Sequence, residues 1–337
     1  MAQGNARQAA WDRTPAELDR LETGQHFHGP LLVLGVDSRN YGQGKECVVL
    51  TLGNASGRIG SAPFWNGYAS VAGLRHGDVV EVSGSVGLYR GRRQLEVAAI
   101  RAVPKADIDW QLLLPSAGDV APHWRAIDEW RGRIRATRLR RLIGLFYDDP
   151  EFRRRYAECP ASTAGHHAEL GGLLRHTREV AEIGMSIAGT CGADADLVLA
   201  GALLHDIGKL EAYSWAGAFE TTDRGALLGH VALGLLMLDR RISAQVEPLC
   251  TDVELVLLQH LIGSHHGKLE FGATAPPMTL EAEILHFSDE ASAKSASMAA
   301  ALADEDHFTD GALLSQRTVW QLDRRKVYRG ASDWGAG

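Results

Sequence analysis

Short apolar runs alternate with glycine-rich turns from Gly24 to Pro104, a pattern typical of β-strands joined by tight connections. One such turn is the segment Asn54-Ala55-Ser56-Gly57. About five short strands in roughly eighty residues predict a small barrel. The clearest apolar runs span Leu31–Val36, Cys47–Leu52, Val79–Val86 and Leu95–Ile100.

After Pro104 the strand pattern stops, and apolar residues recur at helical spacing. Ile127, Trp130 and Ile134 form the first such stripe. The change predicts a multidomain chain in which a small all-β barrel precedes an all-α helical bundle. Further helices are predicted over 166–190, 194–211, 225–241, 250–266 and 279–302.

The predicted domain limits follow from these changes of pattern and from the prolines between them. Pro104, Pro115 and Pro122 punctuate a linker. The predicted parts are an N-terminal lead (1–23), a barrel domain (24–104), the linker (105–123), a helical domain (124–325) and a C-terminal tail (326–337).

Composition places the chain among ordinary globular proteins, with 45% hydrophobic and 23% charged residues. No stretch approaches the ~18 consecutive apolar residues of a membrane span, and Asp12 and Arg13 stand where a signal peptide is apolar. The four cysteines form no CxxC pair, which argues against a thiolate zinc site and fits a reducing compartment. We therefore expect a cytoplasmic protein that has no membrane partner.

Net charge gives no general attraction to nucleic acid, because it is −7. Any such binding needs a local basic surface. One candidate is the arginine-rich stretch that contains Arg131, Arg135 and Arg138. It has two interpretations: a strip that guides a strand, or a solvated face whose arginines pair with neighbouring acids such as Asp128 and Glu151.

Histidine is the unusual feature, since nine of the fourteen lie between His166 and His286 in predicted core helices. The segment Val198–Lys209 is apolar on every side up to His205 and Asp206, so it predicts a buried helix. Burying an ionised Asp costs several kcal/mol unless the carboxylate is paired or binds a metal.

Other polar residues share this buried setting. His230 lies between Leu227 and Gly234 on an apolar face. A single histidine on such a stripe is more often a hydrogen-bonded core residue than a ligand. Several of them in one domain each need compensation, which favours a mixed nitrogen and oxygen site for Mn, Fe, Co, Ni or Zn. The remaining members of the set are His176, His265, His266 and Asp289.

This order of residues resembles the HD-domain phosphohydrolase superfamily, in which the His205-Asp206 doublet is the eponymous motif. Segments 167–177, 203–209, 264–272 and 281–289 are similar, more specifically, to the YhaM family of 3′-to-5′ exoribonucleases, and Lys294 follows at that family's spacing. The similarity covers all but roughly the first twenty and last thirty residues. It implies an OB-fold domain followed by an HD-domain bundle.

The resemblance also implies the metal ligands. His176, His205, Asp206 and Asp289 would hold one divalent ion, and Asp206 would bridge to a second held by His230 and by His265 or His266. Gly172 stands where related HD-GYP enzymes carry a Glu for a third ion, so two ions are expected. Manganese is the first expectation, with Co, Fe, Ni or Zn as alternatives.

The implied reaction is hydrolysis of single-stranded RNA from its 3′ end to 5′-mononucleotides, with single-stranded DNA as a further substrate. Asp206 would bridge the ions that activate water, and Lys209 would neutralise charge on the phosphoryl oxygens. A solvated Lys209 at a helix end is the alternative. His166 and His167 are open between substrate contact and packing, and His260 is expected outside the ligand set.

The barrel would contribute the strand-binding surface, because OB folds combine stacking aromatics with basic loops. Phe64 is instead expected in the barrel core. The candidate nucleic-acid contacts are Tyr41, Trp65, Tyr89, Arg90, Arg92 and Arg93.

Two other functions fit the same sequence. A phosphohydrolase of small nucleotides or short oligonucleotides would need the helical site and no long binding path. A non-catalytic single-strand-binding protein would need only the barrel, but the full set of ligand types argues against it. The sequence is compatible with a monomer or a homo-oligomer.

Overall fold

The computed structural model describes residues 17–18, 20–40, 46–65, 71–89, 91–104, 108, 110, 113–215, 217–304, 307–308 and 311–330. The chain divides into two compact units. One holds the chain up to Ser116 together with Ala216–Ala218, and the other holds the remainder. No helix of the described part is long and apolar enough to cross a membrane.

The first unit is a closed β-barrel, which confirms the predicted OB fold. Its strand order is β1-β5-β6-β3-β2, and pairing of β1 with β2 closes the circle. All pairings are antiparallel except that between β3 and β6, and the short β4 extends the edge of β2. The strands are β1 (His26–Asn40), β2 (Glu46–Asn54), β3 (Gly57–Ser61), β4 (Phe64–Trp65), β5 (Val79–Tyr89) and β6 (Arg92–Ala102).

Alternating strand residues fill the barrel, as period-two burial requires. Phe64 is only 6% exposed and belongs to this core, as predicted. The hairpin between β5 and β6 closes where Tyr89 pairs with Arg92. Other core members are Leu31, Val33, Leu50, Leu52, Val80, Val82 and Leu95.

The second unit is the predicted all-α bundle, with a two-stranded ribbon of β7 (Tyr213–Ser214) and β8 (Glu220–Thr221). Its central helix is α5, in which every residue from Val198 to Leu204 is buried. The helices are α1 (Ala121–Arg133), α2 (Thr137–Tyr147), α3 (Pro150–Glu158), α4 (Gly172–Cys191), α5 (Ala195–Leu204), α6 (Lys209–Ala212), α7 (Asp223–Ser243), α8 (Asp252–Ser264) and α9 (Leu280–Ala303).

Three predicted helices have different limits in the structure. The first begins at Gly172 rather than at 166, because 162–171 form turns in which His167 has φ 46°. The second ends at Leu204, and a turn over 205–208 separates it from α6. The third bends at Gly229 (φ 73°), and Leu227 before the bend is 83% exposed, so its predicted burial is wrong.

An aromatic cluster holds the end of α5. Tyr147 Oη donates to the Leu203 carbonyl at 2.7 Å, and Phe152 stacks on Tyr156 with ring centroids 5.0 Å apart. Buried aromatic rings contribute large apolar area and defined geometry. Leu203 lies one residue before the end of α5, so this hydrogen bond helps to fix the position of the His205-Asp206 doublet that follows the helix.

Candidate metal centre

Helix α7 packs closely against the turn that follows α5. A Cβ atom placed on Gly208 would lie 2.0 Å from the His230 carbonyl oxygen and 2.4 Å from the Gly234 amide nitrogen. Only glycine fits at such a separation. This contact carries His230 to the side of Asp206, which explains the glycine in the segment His205-Asp206-Ile207-Gly208-Lys209.

The first cluster joins α4, the turn after α5 and α9. His176 Nε2 lies 3.4 Å from His205 Nε2 and 3.0 Å from Asp289 Oδ1. Asp206 Oδ2 lies 3.5 Å from His176 Nε2 and 3.1 Å from His205 Nε2. The ligand atoms of His176, His205 and Asp206 lie within 4.8 Å of one another, and Asp289 joins them through His176.

The second cluster joins α7 and the end of α8. His230 Nε2 lies 2.9 Å from His266 Nε2, and the rings of His265 and His266 have centroids 4.2 Å apart. Asp206 Oδ1 lies 3.4 Å from His230 Nε2 and 3.8 Å from His265 Nε2. Both His265 and His266 thus belong to the group.

Asp206 lies between the two clusters, with Oδ2 toward the first and Oδ1 toward the second. Its side chain is 1% exposed. In the described part of the chain, Asp206 Oδ1 and His265 Nε2 are buried without a hydrogen-bond partner. Unpartnered buried polar atoms are costly, and imidazole nitrogens with carboxylate oxygens are the donors that divalent transition metals take. The residues present therefore fit metal ions.

Hydrogen bonds around the clusters orient the imidazoles. The Nδ1–H of His205 donates to the Ala202 carbonyl at 2.8 Å, and that of His265 donates to Ile262 at 2.8 Å. Since carbonyl oxygens only accept, Nδ1 of each ring carries a proton, and Nε2 is the ring atom directed inward, 3.1 Å from Asp206 Oδ2 for His205 and 3.8 Å from Asp206 Oδ1 for His265. Such outer bonds fix tautomer and ring orientation at metal sites.

His176 is oriented by a longer relay. Its Nδ1–H donates at 3.0 Å to Ser292 Oγ, which itself donates to Glu179 Oε2 at 2.8 Å. Sequence reasoning missed both partners. Ser292 follows Asp289 by three residues and Glu179 follows His176 by three, so helical spacing was the available signal.

Burial and neighbouring charges set the protonation states of the candidate metal ligands. Burial lowers the pKa of His230 to about 3, so this imidazole is neutral near pH 7. Burial opposes ionisation of Asp206, but the Lys209 ammonium and His205 outweigh it and hold the pKa of Asp206 well below its usual range. For Asp289 burial is likewise outweighed, here by interactions with the His176, His205 and His265 imidazoles, and its pKa is also well below the ordinary value.

Lys209 is buried, so the solvated alternative for this side chain is wrong. It is 5% exposed, and its Nζ lies 2.6 Å from Asp206 Oδ2. Burial disfavours the ammonium, yet the Asp206 carboxylate raises the pKa of Lys209 above its ordinary value. A charged group is therefore held at the base of the cleft.

The clusters open into a cleft of about 390 Å³. Asp206 and Lys209 line its base, and the largely exposed Phe271 and Trp320 line its outer part. This volume lies in the range of small-ligand sites. Other lining residues are His166, His265, His266, His286, Asp289, Glu290, Lys294 and Asp323.

The remaining histidines have separate positions. His167 Nε2 lies 2.9 Å from Glu179 Oε2, whereas His166 lies beside His176, with ring centroids 5.1 Å apart, and faces the cleft. His260 Nε2 accepts the Met278 amide at 2.9 Å, outside both clusters, as expected.

At Gly172, a Cβ atom would lie 2.1 Å from the His167 carbonyl oxygen, so the backbone occupies the space that a third-site Glu would need.

The candidate nucleic-acid contacts of the barrel differ in solvent exposure and in their contacts within the chain. Trp65 is 48% and Tyr89 58% exposed, and Arg92 is exposed. Arg93 is engaged by its own chain, because its Nη1 donates to the Leu21 carbonyl at 2.9 Å and to Leu18 at 3.3 Å. The other two candidates, Tyr41 and Arg90, lie outside the described residues.

The arginine-rich stretch is largely paired, which favours the solvated-face interpretation over a guide strip. Arg153 contacts Asp128 at 2.8 Å, and Arg138 contacts Glu254. Paired surface arginines leave little net charge to attract a phosphate chain. The other pairs are Arg131 with Asp128 and Asp148, Arg133 with Glu129, and Arg154 with Glu151 and Glu158.

Comparison with known proteins gives consistent matches. The HD domain family model matches residues 173–294. The 3′-5′ exoribonuclease YhaM of Bacillus subtilis (strain 168) is 32% identical over 316 residues, which cover 91% of this chain and 96% of that protein. That of Shouchella clausii is 32% identical over 91% of the chain and 94% of the relative. The YhaM of Bacillus pumilus is 30% identical over 85% of the chain and 89% of the relative.

Proposed function

The chain belongs to the YhaM family of 3′-5′ exoribonucleases and is an enzyme, and from that premise we propose that it hydrolyses single-stranded RNA from the 3′ end with two divalent metal ions. The observation that carries the proposal is the position of Asp206, whose two carboxylate oxygens face separate histidine clusters. The proposed products are 5′-mononucleotides, and the proposed compartment is the cytoplasm.

The donor set divides into two proposed sites. His176, His205, Asp206 and Asp289 would hold one ion, and Asp206, His230, His265 and His266 the other. Bound divalent ions lower the pKa of water to near neutrality and offset phosphoryl charge. Manganese suits these mixed donors, as do Co, Fe, Ni and Zn.

The charges of the residues that line the cleft support a requirement for bound cations. Among the described residues that line the cleft, the carboxylates Asp206, Asp289, Glu290 and Asp323 outnumber the ammonium groups of Lys209 and Lys294. A phosphate chain would be repelled by this excess negative charge. Lys209 places one ammonium at the base, where it can stabilise charge on the reacting phosphoryl oxygens.

Hydrolysis of a 5′-labelled single-stranded RNA with Mn²⁺ tests the proposal. We expect a ladder of products that shorten from the 3′ end, release of 5′-mononucleotides, and loss of both on addition of a chelator. A parallel single-stranded DNA tests the proposed wider substrate range. Internal cuts, or no hydrolysis with any of the five metals, would contradict the proposal. Cleavage of dinucleotides but not of longer strands would favour the small-substrate phosphohydrolase.

We also propose that the barrel increases affinity for longer strands through Tyr89 and Arg92. Replacing both with Ala should weaken binding of a long single strand and reduce the steepness of its salt dependence, because fewer counterions are released. Loss of base stacking on Tyr89 should cost about 1–3 kcal/mol of binding free energy. Cleavage of a dinucleotide should change little, because the proposed ligands all lie in the helical unit.

Binding measured over a salt series checks this prediction. Arg75→Ala is the matched control, since Arg75 is an exposed arginine between β4 and β5. Arg93 is left intact because its hydrogen bonds hold the Leu18 and Leu21 carbonyls. Equal losses for long and short substrates would mean that the barrel supports the helical site instead of binding the strand.

A further inference from the structure

The outer part of the cleft contains two exposed aromatic rings from segments outside the metal clusters. Trp320 is 67% exposed and Phe271 56%, and both line the same cleft as Asp206 and Asp289. Within the described residues neither ring stacks on another aromatic side chain, and Lys268 Nζ lies 5.5 Å from the centroid of the Phe271 ring. Large exposed rings beside a polar site are typical of ligand contacts.

The backbone that carries Trp320 is firmly held although its ring is exposed. Trp320 begins a short 3-10 turn between Val319 and Leu322, which are 5% and 0% exposed. These two side chains pack with Ala301 of α9. The backbone of the turn therefore holds the indole in place, and binding a ligand there should require little further loss of conformational entropy.

A salt bridge ties the same turn to the helix that carries Asp289. Lys294 Nζ lies 2.6 Å from Asp323 Oδ2 and 2.9 Å from Glu290 Oε1. Asp323 and Arg324 have φ of 54° and 57°, a region that side chains rarely adopt. Strained turns of this kind persist where the surrounding contacts hold them.

The lysines that line this cleft are already neutralised by carboxylates. Lys294 is paired with two carboxylates, and Lys209 is paired with Asp206 at the base. The outer wall therefore offers the exposed indole of Trp320 as a π face, with the Phe271 ring beside Lys268. Aromatic stacking is tolerant of sequence because every base has a π face, which suits an enzyme that removes successive nucleotides of any kind.

We propose that Trp320, assisted by Phe271, is the binding surface for the base of the nucleotide at the 3′ end. This inference rests on the proposed exoribonuclease function for the identity of that nucleotide. Trp320 lies beyond residue 294, where the match to the HD domain ends. The C-terminal segment thus contributes a substrate contact to the HD-domain site.

Two RNAs that differ only in a normal or an abasic 3′-terminal nucleotide test the inference with the full chain and Mn²⁺. In the wild type the abasic end should raise KM about tenfold. Trp320→Ala should raise KM for the normal RNA by a similar factor and leave the abasic RNA nearly unchanged, and Trp320→Phe should restore most of the difference. Tyr328→Ala is the control, because Tyr328 is 63% exposed on the same segment without lining the cleft.

A binding measurement separates failure of this inference from failure of the proposed function. With Mn²⁺ present, adenosine 5′-monophosphate should bind about tenfold more tightly than ribose 5-phosphate, and Trp320→Ala should remove the difference. That difference without RNA hydrolysis would support the base site and contradict the exoribonuclease. RNA hydrolysis in which Trp320→Ala affects normal and abasic ends equally would overturn the base site and leave the exoribonuclease standing.

Discussion

Replacing Asp206 with Asn should lower the rate of RNA hydrolysis by more than about 10³-fold while the protein remains folded. An amide offers one oxygen acceptor and an NH₂ donor, so it cannot present anionic oxygens to both clusters. Loss of residues that merely orient metal ligands costs about 10–100-fold. A residue proposed to contact both ions should therefore cost more.

The structure shows why the fold should tolerate this change. Asn has the size of Asp, and its amide oxygen can still accept a hydrogen bond from the buried Lys209 ammonium, which lies 2.6 Å from Asp206 Oδ2. Asp239→Asn is the matched control, because Asp239 is an exposed residue of α7. Single-turnover hydrolysis and circular dichroism give the two readouts. Near-normal hydrolysis by a purified Asp206→Asn protein would refute the bridging role.

Replacing Lys209 with Met should lower kcat by about 10²–10³-fold and leave two metal ions bound. Methionine keeps much of the buried volume and removes the ammonium that lies 2.6 Å from Asp206 Oδ2. Loss of one preorganised charge near the reacting phosphoryl group has an effect of this size. Bound ions would still neutralise Asp206.

Metal content and kcat, measured on the same samples, distinguish catalysis from a structural role. If Lys209 serves only as a counterion for Asp206, the variant loaded with metal would have normal kcat and a lower melting temperature without metal. Lys326→Met is the control, since Lys326 is exposed in the C-terminal segment.

The architecture was predictable because local patterns determine it. Glycine turns spaced along 24–104 predicted the barrel, and the apolar run up to Leu204 predicted the buried helix α5. The grouping of His176, His205 and Asp206 followed from the resemblance to the HD-domain superfamily, and the need of buried polar residues for partners agrees with it. The assignment of these residues as metal ligands remains a prediction.

Features that depend on distant contacts were not predictable. The hydrogen bonds from Arg93 to the carbonyls of Leu18 and Leu21 join residues more than seventy positions apart, with no local signal. The start of α4 was placed too early because nothing in the sequence reveals the φ of 46° at His167. The spacing of Leu227 continues an apolar face, but the backbone bends at Gly229 and Leu227 is exposed.

Anomalous scattering at the manganese edge, from crystals of the full chain grown with Mn²⁺, tests the central claim most directly. We expect two peaks: one bound by His176, His205 and Asp289, and one by His230, His265 and His266, with Asp206 bound to both. A third peak beside Gly172 is not expected, because the His167 carbonyl occupies that space. A single peak, or two peaks without Asp206 as a shared ligand, would contradict the account.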